Sequence, residues 1–213
     1  LIDTSPDLRS QLLSNKIKNI DRVFYTHMHA DQTHGINDLR IFYLKTKKRI
    51  PIYADNLTKK YLKRSFSYCF DKNSDYPPTL KFENMKKSFL FDKSIKLLPI
   101  KVKHGSINSL CFIINNKLAY LPDSNGIYKK DFSKFKSLQY MIVDCLRYTR
   151  HPSHFNFEDI IKLNFFLKPK KMILTNLHSD LDYNELLDIL PKNIKPAYDL
   201  SLIHISEPTR PFH

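Results

Sequence analysis

Seven of the nine histidines fall before residue 200, and three of them crowd into Thr26-His27-Met28-His29-Ala30-Asp31-Gln32-Thr33-His34-Gly35. A β-rich run, Arg22–Tyr25, leads directly into this segment. Side chains alternate faces along a strand, so a His-x-His at its end sets two imidazoles on one side, where both can hold one metal ion. Asp31, two residues further, can reach a neighbouring ion. The plainer alternative is a polar loop that merely contains three histidines.

Further candidates fall at equivalent places. His104 follows the run Ile95–Val102 and precedes Gly105; Asp123 follows Leu118–Leu121; His178 comes a few residues after Met172–Leu174. Singly they read as a strand-end histidine, an Asx-turn aspartate and a helix-capping group. Together they place a ligand type at the end of four strands, which is how an α/β scaffold builds one site from distant parts of the chain. Glycine use points the same way. The chain has 3 glycines, Gly35, Gly105 and Gly126, and each lies within three positions of a candidate histidine or aspartate. Backbones bend sharply or approach a ligand closely at such positions.

The elements that must position these groups alternate, short β-rich runs with amphipathic stretches, the pattern of α/β layers. Further strands are expected at Ile50–Tyr53, Leu110–Ile114 and Tyr140–Val143, and helices at Pro6–Ser14, Ile36–Leu44, Thr58–Phe70, Phe157–Phe166 and Tyr183–Leu190. Asn115-Asn116 reads as a tight hairpin turn, since Asn tolerates positive φ. Ser5 before Pro6 reads as a helix N-cap, and Lys168-Pro169 as a helix stop. Asp71–Pro78 reads as a loop. One domain over 1–199 is the expectation. The stretch 200–213, with His204 and His213, lacks periodicity and is expected to be a non-native tail. Leu1 reads as the end of a buried strand, so the chain is expected to be N-terminally truncated.

Of the 213 residues, 35 are Lys or Arg and 21 Asp or Glu, a formal charge of +14. That balance favours anionic partners, phosphorylated small molecules or RNA, although a Lys-rich surface alone would produce it. Cys69, Cys111 and Cys145 are odd in number and lack C-x-x-C spacing, which points to a reducing, cytoplasmic setting rather than a disulfide framework. No apolar run is long enough to span a membrane, so no membrane partner is expected. Whether the chain forms a homodimer is left open.

In order and spacing, His27-x-His29-x-Asp31 followed by His104, Asp123 and His178 resembles the metallo-β-lactamase superfamily. Leu1-Ile2-Asp3-Thr4-Ser5-Pro6-Asp7-Leu8-Arg9, His34-Gly35-Ile36-Asn37-Asp38-Leu39-Arg40, His151-Pro152-Ser153-His154-Phe155 and His178-Ser179-Asp180-Leu181-Asp182-Tyr183 look like its PhnP-type branch of phosphoribosyl cyclic phosphodiesterases. That branch is related to the tRNA 3′-processing nucleases (tRNase Z). The resemblance runs from Leu1 to about Asp199. It implies an α/β (α+β) four-layer αββα sandwich holding two divalent ions, zinc or manganese. His27, His29 and His104 would hold the first ion, Asp31 and His178 the second, and Asp123 would bridge them. A hydroxide between the ions would be the nucleophile.

The family has His where this chain has Gln32, a poor zinc ligand, which puts the second ion in doubt. His34 could replace it if a helix starts there, although a place beside the metals or facing substrate is the better reading. His154 matches the histidine that protonates the leaving group, so His154 and Asp31 are the catalytic candidates. Asp144 would orient a histidine or cap a helix, and Asp3 has the same standing. Arg40 and Arg147 could bind phosphate or pair with nearby carboxylates. The expected activity is hydrolysis of a small cyclic or nucleotide-like phosphodiester. The alternatives are an RNA-processing nuclease, a lactone or thioester hydrolase, and an RNA-binding module with a degenerate structural metal site.

Overall fold

In the computed structural model, residues 1–72 and 76–199 are described; the stretch 200–213, and with it the expected tail, lies outside them. The chain is a mixed α/β protein that divides into two compact units, one over Leu1–Lys87 and one from Ser88 onward.

The N-terminal unit has a three-stranded parallel sheet, β1 (Val23–Phe24), β2 (Ile50–Tyr53) and β3 (Leu80–Phe82), in that spatial order. Val23 lies opposite Ile52 and Phe24 opposite Tyr53, whose rings stack at 4.6 Å. Around the sheet run α1 (Leu8–Ser14), α2 (Ala30–Thr33), a 3-10 turn (Ile36–Leu39) continuing into α3 (Arg40–Thr46), and α4 (Asn56–Ser65). Val23, Tyr25, Leu39, Ile52, Leu62 and Leu80 form its core, each essentially without solvent contact.

Local sequence did not fix every boundary. The Thr58–Phe70 helix begins earlier, because the Asp55 carboxylate caps the Thr58 N–H at 2.8 Å. It ends at Ser65, where Phe66 leaves helical geometry (φ −130°), and a 3-10 turn, Ser67–Cys69, follows. Ser5 is not the cap of α1: the helix starts at Leu8 after Asp7, and the Ser5 hydroxyl donates instead to Gln11 Oε1 at 3.1 Å.

The C-terminal unit is built on one large sheet. Its strands are β4 (Phe89–Phe91), β5 (Ile95–His104), β6 (Ile107–Ile114), β7 (Leu118–Leu121), β8 (Gly126–Ile127), β9 (Tyr140–Asp144), β10 (Lys171–Thr175) and β11 (Ile194–Pro196). Their order is β11-β10-β9-β7-β6-β5-β4, with β8 against β5. From β4 to β7 neighbours run antiparallel, and from β7 to β11 parallel. The hairpin between β6 and β7 turns through Asn115 and Asn116 at φ 53° and 52°, the left-handed pair that a two-residue turn requires. Helix α5 (Phe157–Leu167) opens with a reciprocal capping box between Asn156 and Asp159 and ends at left-handed Lys168, before Pro169. Helix α6 (Tyr183–Ile189) is capped by Asp182, whose carboxylate accepts from the N–H groups of Asn184 and Glu185. Parallel β9 and β10 end together, with Asp144 beside Thr175. That register brings the groups following each strand to one end of the sheet.

Candidate metal and acid–base centre

In the N-terminal unit the chain leaves β1 through Tyr25 and Thr26 and delivers His27, buried, and His29, exposed, at the start of α2. A relay sets the tautomer of His27. Asp3, itself buried and in the left-handed region (φ 55°), accepts from the Thr26 N–H at 2.8 Å and from the Thr26 hydroxyl at 2.9 Å. The committed hydroxyl then accepts from His27 Nδ1 at 3.1 Å, so the ring proton sits on Nδ1 and the lone pair on Nε2. His27 Nε2 faces His29 Nδ1 at 2.9 Å. Two imidazole nitrogens on one tetrahedral zinc, each about 2.0–2.1 Å from the ion, lie about 3.3 Å apart, close to this spacing. Asp31 accepts from the Gln32 side-chain amide at 2.8 Å, so Gln32 acts here as a donor to the carboxylate. His34 Nε2 pairs with the Tyr61 hydroxyl at 3.0 Å, and its ring packs edge-on against Phe66. The Arg40 guanidinium lies over the Tyr76 ring, 4.8 Å from its centre.

In the C-terminal unit β5 ends at buried His104, whose Nδ1 donates to the Ser153 carbonyl at 2.8 Å. A carbonyl can only accept, so the lone pair of His104 is again on Nε2. Asp123 is buried just after β7. Gly105, at φ 58°, holds the turn after His104, where a methyl group would press on the Ser153 side chain. Asn125 links the same loops, donating to the Pro152 carbonyl at 2.5 Å and accepting from the Gly105 N–H at 3.3 Å.

Asp144, at the end of β9 and fully buried, is engaged on both oxygens. Its Oδ2 takes His154 Nδ1 at 2.7 Å and the Ser124 N–H at 3.1 Å, and its Oδ1 takes the Asn176 amide at 3.2 Å. His154 therefore has a fixed ring orientation, with Nε2 directed away from the carboxylate, and its ring meets that of His104 edge-on at 4.9 Å. His151 packs on His154 at 4.9 Å, and burial, followed by the neighbouring charges of His154 and Arg147, holds its pKa below the usual imidazole range. Arg147 itself donates to the Arg150 carbonyl at 2.8 Å. His178 is exposed after β10, with Nδ1 on Asp180 at 2.8 Å.

His27 and His29 in the N-terminal unit, and His104 and Asp123 in the C-terminal unit, are donor types compatible with a divalent metal ion. Imidazoles whose tautomers present a lone pair, with one carboxylate, are the chemistry such ions take. Sequence reasoning passed over Thr26, Ser124, Ser153 and Asn176. Thr26 and Ser153 lie inside the histidine segments, and Asn176 stands directly after a strand, its backbone left-handed at φ 58°.

Residues 1–176 match the beta-lactamase superfamily domain. Over 204 residues the chain is 31% identical to a protein of Porphyromonas gingivalis (strain ATCC BAA-308 / W83) named octanoyltransferase, covering 93% of this chain and 41% of that protein. The chain thus spans about two fifths of that relative's length. Among solved structures it is similar to a diphosphatase of the PhnP family, with TM-score 0.84 and 30% identity over 93% of this chain and 76% of that one. It shares its fold with the short form of human tRNase Z, TM-score 0.67 at 16% identity, over 93% of this chain and 85% of that one. The same holds for zinc-bound PqqB from Methylobacterium extorquens, TM-score 0.63 at 13% identity, over 93% and 80%.

Proposed function

Because this chain belongs to the beta-lactamase superfamily, whose fold here carries a histidine and aspartate donor set fit for a divalent ion, we propose that it is a metal-dependent phosphodiesterase acting on a small cyclic or nucleotide-like phosphodiester. A divalent ion held by His27, His29, His104 and Asp123 would act as a Lewis acid on the phosphate and supply a nucleophile at neutral pH. Asp31 and His178 are the donors proposed for a second ion.

The observation that carries the phosphodiester reading is the His154–Asp144 pair at 2.7 Å. An alkoxide is a poor leaving group and needs a proton as the ester bond breaks. When protonated, His154 keeps one proton on Nδ1 against Asp144 and offers the other from Nε2 to the leaving oxygen. Asp144 favours that charged form and holds the ring in place. The similarity to a PhnP-family diphosphatase supports the same choice of phosphoryl chemistry.

The charge of +14 favours a second reading, cleavage of RNA on the same scaffold. Acyl transfer, the activity in the name of the Porphyromonas relative, is not carried over, since this chain spans only 41% of that protein.

The test is turnover of a chromogenic phosphodiester by zinc- or manganese-loaded protein beside a His29→Ala control, with bound metal counted in both. Turnover that disappears together with metal in the control supports the proposal. A metal-loaded protein that opens lactones and leaves every phosphodiester intact would overturn it. Cleavage of RNA with no action on small diesters would favour the second reading.

A further inference from the structure

The N-terminal unit carries a groove of about 630 Å³ beside α1 and α3. Of the candidate site residues, Arg40 alone is among its lining residues. Leu12 and buried Phe42 are among its lining residues. Four large aliphatic side chains wall it and remain in water: Leu13 is 68% exposed, Ile17 46%, Ile41 61% and Leu44 43%. A single exposed leucine needs no explanation, but a contiguous group of them marks a surface meant to be covered. The volume lies within the range of small-molecule sites, about 300–1,000 Å³.

The charges around it are one-sided. Arg9, Lys18, Arg40 and Lys45 line the groove, and Asp38 is the one carboxylate among its lining residues. Lys45 Nζ donates to the Lys18 carbonyl at 3.3 Å, tying α3 to the segment after α1, so the two walls are already joined without a ligand.

We propose that this groove binds an unbranched alkyl carboxylate of medium length, with the chain along Leu13, Ile17, Ile41 and Leu44 and the anionic head among the four cations. The same surface argues against other occupants. A polyanion such as RNA would use the cations and leave the aliphatic walls wet. A neutral ligand would cover the walls and leave the four cations with Asp38 as the one carboxylate of the lining.

The experiment is calorimetric titration of the whole protein with hexanoate, octanoate and decanoate below their micellar concentrations, with 1-decanol as the uncharged comparison. Affinity should rise about fourfold per added methylene, the gain from burying one methylene group, and decanol should bind at least about tenfold more weakly than decanoate. Ile41→Glu, a change at an exposed position, should lower decanoate affinity at least about tenfold with melting temperature unchanged. Affinity independent of chain length, or decanol equal to decanoate, overturns the proposal on the unaltered protein alone. So does binding only to anionic vesicles, or a dimer that Ile41→Glu disperses. Phosphodiester turnover enters none of these readings, so this inference and the proposed hydrolysis can fail separately.

Discussion

Tautomers are decided residue by residue, and two of the candidate ligands, His104 and His27, depend on a group that is not itself a ligand. Ser153 fixes His104 by a carbonyl, and Asp3 fixes His27 through the Thr26 hydroxyl. Asp144 does the same for His154 and is satisfied on both oxygens. Asp144→Asn keeps the shape but removes the charge that favours the protonated imidazole. Its kcat on a phosphodiester should fall about 10²–10⁴-fold, the usual size of general acid catalysis, while bound metal stays at the wild-type count. Loss of metal along with activity would mean that Asp144 serves the metal site and not the acid. Thr26→Val removes the hydroxyl between Asp3 and His27. Metal affinity should weaken about 10–100-fold, the typical cost of losing a group that orients a ligand, and a metal-chelator competition titration reads this directly.

At the scale of elements, two local contacts hold the segments that carry these residues. The capping box of α5 starts the helix directly after His154 and Phe155, and the Phe155 N–H is bonded to the Ser124 carbonyl at 2.7 Å. Asn156→Ala should cost about 1 kcal/mol in urea unfolding, the usual cost of losing an N-cap. Gly35 closes the turn after α2, with its N–H on the Thr4 carbonyl at 2.9 Å. A Cβ there would collide with the Ser5 carbonyl oxygen and crowd Leu8, although the backbone angle itself suits any residue. Gly35→Ala should therefore destabilise by about 1–3 kcal/mol, through overpacking and not backbone strain. A variant as stable as the wild type would show that the Thr4–Ser5 segment gives way freely.

For the whole molecule, pH sets a limit on stability through groups buried in neutral form. Cys69, Cys111 and Cys145 are free and buried. Burial pushes the Cys69 thiol up to about 11 and the Cys145 thiol to about 12, with Cys111 raised well above its ordinary value and Tyr25 raised by burial too. These groups bind their proton more tightly folded than unfolded. Their contribution is complete below about pH 9, the ordinary thiol pKa, and is lost as pH climbs towards 12. Melting temperature should hold steady from pH 7 to 9 and fall beyond it. Ellman's reagent should react with the native protein only slowly at pH 8, and rapid reaction of any thiol would show that its burial is not maintained in solution.

Much of the strand framework was legible because β2, β7, β9 and β10 are buried runs of β-branched and apolar residues, a pattern set by neighbours along the chain. The turn at Asn115-Asn116 and the stop at Lys168-Pro169 were legible for a similar reason: each is a steric property of one or two residues. The ligand types at the strand ends could be read, since histidine and aspartate carry their chemistry wherever they stand. The short strands β3, β4, β8 and β11 could not, because two or three residues give no period and pair only when a distant partner supplies the hydrogen bonds. The groups that act on the candidate site were hidden for the same reason. Thr26, Ser153 and Asn176 are ordinary polar residues in the sequence. They matter only because folding brings a hydroxyl, a carbonyl and an amide to hydrogen-bonding distance of one imidazole or one carboxylate, and those distances are set by tertiary structure alone.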